Sequence, residues 1–211
     1  VNGFWMCDIG RFDYRWIEGE ERLQKPLLRT EAGAAPAERT HAVESRGSLE
    51  PTDWTNALTK VADRITAAGR SDLRFLISAH ASLEELFLIG KIGGALNVSE
   101  DGVAMSWRTR VQPQPPRVMF KIPPVDAPNV NGARDLGFPV RTTSDGSADI
   151  AAFRSQVEQG QVKALYVFDP GPDGSIGDVS WIINARKSGK LPLLIVHGVL
   201  MTELAKAADI V

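Results

Sequence analysis

The sequence predicts an α/β protein built on a parallel, doubly wound (Rossmann-like) sheet, and three observations lead to that class. Short, near-continuous apolar runs at Leu73–Ala79, Val162–Phe168 and Leu191–Val196 have the length and content of strands covered on both faces. The segments between them repeat apolar residues at three- and four-residue spacing, which makes the crossovers helical and right-handed. With 211 residues, 43% hydrophobic and 24% charged, the chain has the composition of an ordinary globular domain, alone or with an appendage.

In chain order, residues 1–30 are aromatic and charged in equal measure and sustain neither periodicity. Residues 31–48, rich in alanine, glutamate, arginine and glycine, read as a linker, so a boundary falls there and the α/β domain occupies 49–211. Thr52 or Asp53 can cap a helix whose apolar positions Trp54, Ala57, Leu58, Val61, Ala62 and Ile65 recur at three and four residues and which stops before Gly69. After the strand Leu73–Ala79, Ser82 and Glu85 form a capping box ahead of Leu86, Phe87, Ile89 and Ile92. Asn97 to Pro139 breaks the rhythm. Val103–Trp107 suits a short strand, but the proline runs at 113–116 and 123–124 fix backbone angles and remove donors. A loop of that length is more often functional or interface-forming than idle. The alternation resumes with a helix near Ala148–Gln159, the strand Val162–Phe168, a helix near Ile176–Lys187, the strand Leu191–Val196 and a helix near Met201–Ala207. The opening Val1-Asn2-Gly3 lacks an initiator methionine and a signal-type segment, and Asp209-Ile210-Val211 reads as the first residues of a strand. The expectation is a chain cut from something longer, its α/β domain incomplete at the carboxyl end.

Charge excludes some partners. Lys and Arg number 24 against 26 Asp and Glu, a net charge of −2, so no positive field draws nucleic acid or anionic lipid. The longest apolar run, Leu191–Met201, is interrupted by His197 and falls short of the roughly 20 residues that span a bilayer, so direct membrane insertion is not expected. The single cysteine, Cys7, cannot close an intramolecular disulfide, which fits a reducing compartment.

Cys7 has two readings from the residues alone. It is a buried thiol in an aromatic cluster, or it is the last ligand of an iron–sulfur centre whose other ligands lie upstream. Trp5-Met6-Cys7-Asp8-x-Gly10-Arg11-Phe12, followed by Glu21-Arg22-Leu23-x-x-Pro26-Leu27-Leu28-Arg29, resembles the end of the cluster-binding domain of the molybdopterin oxidoreductase superfamily. That resemblance implies a 4Fe-4S cluster with Cys7 as its fourth ligand, so that residues 1–30 are the C-terminal part of a small iron–sulfur domain. Ser78 to Leu88, Asp126 to Asn129 with Gly132 to Gly137, Ala164 to Val167 and Thr202 to Asp209 are similar to segments of the G-subunit family of NADH:quinone oxidoreductase, complex I. In that family the fold serves as an electron-transfer scaffold in the peripheral arm. The resemblance therefore implies an oxidoreductase member with neighbouring subunits as partners, placed peripherally on the cytoplasmic side of the inner membrane, with no substrate chemistry and no catalytic residue in this chain. The alternative is a fragment of a molybdopterin-dependent catalytic subunit such as a formate dehydrogenase, which would hold a molybdopterin guanine dinucleotide. Many pterin-using relatives carry lysine where this chain has Ile9, and an apolar side chain cannot hydrogen-bond a pterin. No second cysteine and no serine in a recognisable molybdenum-ligand motif is present.

Around the cysteine, Asp8 and Arg11 either pair locally to hold the loop or, for the arginine, tune the cluster through hydrogen bonds to its sulfurs. His80 follows a strand at the carboxyl edge where α/β sheets take ligands, but lacks an acid partner at a recognisable spacing and reads as a loop or cap residue. His41 in the linker and His197 at a strand end read as ordinary loop and core residues, and the three histidines have no metal-site spacing. Asp169-Pro170-Gly171-Pro172-Asp173-Gly174-Ser175-Ile176-Gly177 follows a strand, as a dinucleotide fingerprint would. Its prolines and its missing G-x-G-x-x-G order make it a turn leading to a helix; in molybdenum relatives the equivalent loop helps hold the pterin dinucleotide.

Overall fold

A computed structural model describes residues 14–30, 47–109, 117, 119, 124–171 and 174–211. Cys7 and its neighbours, the linker stretch 31–46 with His41, and most of the proline-rich segment 110–123 lie outside the described residues.

Two three-residue strands, β1 (Leu27–Arg29) and β2 (Leu49–Pro51), pair antiparallel with Leu28 opposite Glu50. Helix α1 (Trp54–Ala68) starts on Asp53, whose carboxylate accepts the Asn56 N–H at 2.8 Å, and stops at Gly69, whose φ of 91° only glycine takes without strain. Strand β3 (Leu73–Ser78) follows, then α2 (Leu83–Ala95) behind the expected capping box: the Glu85 N–H donates to Ser82 Oγ at 3.2 Å and the Ser82 N–H to Glu85 Oε2 at 2.8 Å. The rest of the body is β4 (Val103–Ser106), α3 (Val130–Asp135), α4 (Ala151–Glu158), β5 (Ala164–Asp169), α5 (Ser180–Lys187), β6 (Leu193–Gly198) and α6 (Glu203–Ala207).

The sheet is parallel in the order β4-β3-β5-β6, with Ile77 beside Met105 and Phe168, and Val167 beside Val196. Strand alternation splits the apolar residues between two layers. Leu76, Leu165, Val167 and Leu194 meet Phe153 and Val157 of α4, Trp181 and Ile182 of α5 and Leu204 of α6; Phe75, Ile77 and Ile195 meet Ile65 of α1 and Leu86 and Ile89 of α2. Helices therefore cover both faces, as the unbroken apolar runs predict. From β3 the chain passes to β4 on one side and later to β5 on the other, so the winding reverses between β3 and β5, the position where open α/β sheets form a crevice.

The chain's last residues extend the sheet. Ile210 bridges Ile195 in parallel and Leu28 antiparallel, the Val196 N–H donates to Ile210 O at 2.9 Å, and Leu27 and Val211 exchange backbone bonds of 2.8 and 2.9 Å. Asp209 anchors this rung. Its carboxylate pairs with buried Arg186 of α5 and accepts the Leu194 N–H at 2.9 Å, while Arg186 also donates to Leu191 O and Pro192 O.

Two expectations change. Within 97–139 the short helix α3 was not foreseen: six residues sustain no periodicity, and it is held by burial of Ala133 and by the Phe138 N–H donating to Ala133 O at 3.0 Å. The helix expected from near Ile176 begins only at Ser180, because Gly177 turns with φ 98° and the Asp178 carboxylate caps Ser180 N–H at 2.9 Å. No helix among the described residues is long and apolar enough to cross a membrane.

Candidate functional site

Four buried polar residues gather where β3, β4 and β5 end. Ser78 closes β3, Ser106 closes β4, Asp169 closes β5, and Ser175 lies in the loop after β5; all are less than a tenth exposed. Polar groups so placed must find partners inside the protein. The Asp169 carboxylate accepts both the Ser175 N–H at 2.7 Å and the Ser175 hydroxyl at 2.5 Å. The Ser175 and Ser78 hydroxyls lie 2.5 Å apart, Ser78 Oγ accepts the His80 N–H at 3.1 Å, and the Ser106 hydroxyl donates to Ile176 O at 2.7 Å. One network thus ties the ends of β3, β4 and β5 to the loop that leads into α5.

Burial pushes the Asp169 carboxyl above its ordinary range; the bonds from Ser175 and the positive sides of His80 and Arg108 oppose that rise without cancelling it. Arg108 continues the chain past β4, its carbonyl accepting the Asp126 N–H at 2.9 Å, and its buried Nε finds no acceptor among the described residues. His80 Nε2 lies 2.6 Å from Asp126 O, so the ring is held by a backbone carbonyl rather than by an acid. This agrees with its reading as a loop residue.

His197 ends β6 on the other side of the edge. Its Nδ1 meets Tyr166 Oη at 2.8 Å, and its ring stands edge-on to Phe168 at 4.8 Å between centroids. Burial against these rings lowers the imidazole pKa and pushes the Tyr166 hydroxyl up to about 12, so the pair is neutral at pH 7. His197 nevertheless stays exposed, so this is a surface contact with a polar centre and His197 is not the core residue the sequence suggests.

No family model matches the chain. The G-type subunit of the NADH-quinone oxidoreductase of Streptomyces coelicolor is 29% identical over 151 residues, covering 71% of this chain and 15% of that protein. The chain is similar to that G-type subunit. Subunit 3 of the Thermus thermophilus NADH-quinone oxidoreductase is 28% identical over 96 residues, covering 46% of this chain and 10% of the relative. A Staphylococcus aureus protein that bears the name formate dehydrogenase is 29% identical over 96 residues, covering 44% of this chain and 8% of that protein. The chain thus spans less than a fifth of the length of the curated relatives it matches.

A phosphate cradle needs free N–H groups and positive charge. In the loop after β5 the Ser175 N–H is already bonded to a carboxylate, and a Cβ on Gly171 would overlap the Ser175 side chain, so the loop is closed on itself. In this arrangement the Ser175 N–H is not offered to a phosphate, and the described part of the loop is a turn, as the sequence suggests. Pro172 and Asp173 lie outside the described residues. Cys7, Asp8, Ile9 and Arg11 also lie outside the described residues, among which no group of three or more His, Cys, Asp or Glu is gathered for a metal ion.

The serine network escaped the sequence reading. A serine at the end of an apolar run looks like the strand's polar boundary. The available signal was its repetition, Ser78 after Leu73–Ile77 and Ser106 after Val103–Met105, on two strands that end at one edge.

Proposed function

We propose that this chain is a domain of the electron-transfer and scaffold subunit of an NADH:quinone oxidoreductase, with Cys7 as the last ligand of a 4Fe-4S cluster. The chain is then an enzyme-complex member without substrate chemistry of its own. Its partners are neighbouring subunits of the peripheral arm on the cytoplasmic side of the inner membrane. The cluster supplies one-electron transfer when bound; the described residues supply a rigid body against which it and its neighbours are held. The domain division follows the same reading, with 1–30 belonging to the iron–sulfur part, 31–48 linking and 49–211 forming the α/β body.

One observation carries this choice between related functions. At the point where the winding reverses, Asp169, Ser175 and Ser78 bond one another, so the place at which such a sheet would take a charged cofactor is filled with its own side chains and carries a carboxylate. A scaffold requires no opening there. The second reading, a molybdopterin-dependent catalytic subunit, is favoured by the similarity to the formate-dehydrogenase-named relative. It requires the loop to open.

The test is Cys7→Ser in the full-length subunit, followed by electron paramagnetic resonance of the reduced protein. The reading predicts loss of one 4Fe-4S signal with an unchanged far-ultraviolet circular dichroism spectrum. A full set of cluster signals in the variant would refute the ligand assignment.

A further inference from the structure

Helix α2 is apolar on nearly every side. Leu86, Ile89 and Gly93 turn to the core, yet Leu83, Phe87, Leu88 and Ile92 remain 46 to 59% exposed on its outer surface. On the same face of the sheet α1 exposes Trp54 at 64% and Leu58 at 60%. Single exposed apolar residues are ordinary, but a helix hydrophobic all round belongs inside a larger body. Along one flank of α2 runs a cavity of about 370 Å³, bounded by Gly90, Gly93, Gly94 and the turn Leu136–Pro139. A Cβ on Gly93 or Gly94 would meet nothing within 4 Å, so a partner's side chain can approach the helix backbone there. Three charged residues belong to the helix: Lys91, over the Phe87 ring at 5.2 Å, and the first-turn Glu84 and Glu85, the latter held in the capping box with Ser82.

We infer that the outer face of α2, with the glycine-lined cavity beside it, is the seat of an apolar segment from elsewhere in the same polypeptide. The inference rests on the reading above that the chain is one domain of a longer G-type subunit. Relatives of which this chain covers 15% and 10% have several times its length to fold against it. The character of the face agrees. Contacts that form once and never separate are apolar and lean on few charges, whereas surfaces that bind and release keep a polar balance. A second subunit, a second copy of the chain, or a segment within residues 1–211 are the competing occupants.

The experiment uses the full-length subunit, isolated and in the assembled complex, with photoreactive p-benzoylphenylalanine replacing Leu88 or, separately, Ile92. After irradiation, cross-linked peptides are identified by mass spectrometry. The inference predicts a cross-link, already in the isolated subunit, to a peptide of the same polypeptide outside residues 1–211. A cross-link to another subunit, to a second copy or to a peptide inside 1–211 overturns it, as does no cross-link at either position. Hydroxyl-radical footprinting of the unsubstituted subunit guards against misfolding of the variants. Relative to their intrinsic reactivities, Phe87, Leu88 and Ile92 are predicted to be as protected as buried Leu86, and protection several-fold weaker than that of Leu86 overturns the inference. Neither readout depends on iron content, so failure of the cluster assignment and failure of this docking face are told apart.

Discussion

Replacing Asp169 separates its two properties, the bonds it accepts and the charge it carries. Asp169→Ala removes the acceptor for two buried donors, the Ser175 N–H at 2.7 Å and the Ser175 hydroxyl at 2.5 Å. At roughly 1–3 kcal/mol for each buried polar group left unpaired, and with the hydroxyl free to turn toward Ser78, the expected loss is about 3 kcal/mol. Asp169→Asn keeps an oxygen where Oδ1 stands and removes the cost of burying a charge, so its stability should lie within about 1 kcal/mol of the parent. The two proteins should part with pH. Burial raises the carboxyl pKa in the folded state, so the native protein holds the proton more tightly than the unfolded chain. Stability from this group is therefore fully present below the unfolded value of about 3.9 and declines as pH rises from there through the raised folded value. The asparagine variant lacks that decline and should gain on the parent across the window. Urea unfolding of parent and both variants at several pH values from about 3.5 to 7.5 measures this. Asparagine as damaging as alanine, or a parent that gains on the asparagine variant with rising pH, would refute the reasoning.

Two further outcomes follow from the packing. Asp209→Ala leaves Arg186 buried without its carboxylate and frees the rung at Ile210, so urea unfolding should show a loss of about 3–5 kcal/mol, the usual cost of breaking a buried pair from one side. Below about pH 6.5 the unfolded chain takes a proton at His197 before the folded protein does, because burial lowers the folded pKa; stability should fall as pH drops through that window, and His197→Phe should flatten that part of the stability–pH curve.

Most of the body was legible because the apolar pattern and local capping chemistry agree. The runs at 73–79, 162–168 and 191–196 became β3, β5 and β6 within two residues at each end, and Ser82 with Glu85 placed the start of α2. A different kind of information governs what was missed. Helix α3 depends on Ala133 reaching the core and on Gly132 packing against Leu83, a contact that only the folded chain creates. The late start of α5 depends on Asp169 gripping Ser175, which competes with helix formation at Ile176. At the site, His80 was rightly read as a loop residue, while its ring partner Asp126 O lies 46 residues away and the Ser78–Ser175 pairing joins positions 97 residues apart, and neither leaves a trace in spacing. Cys7 stands apart from all of this. Its reading comes from a motif that resembles a family, and it lies outside the described residues.

The most direct measurement is the metal content of the purified full-length subunit, iron, molybdenum and tungsten determined together against protein. A scaffold whose cofactor crevice is shut by Asp169, Ser175 and Ser78 predicts at least four iron atoms per polypeptide with molybdenum and tungsten at background. Molybdenum or tungsten at one atom per polypeptide would contradict it, since the loop after β5 would then have to open around a pterin dinucleotide.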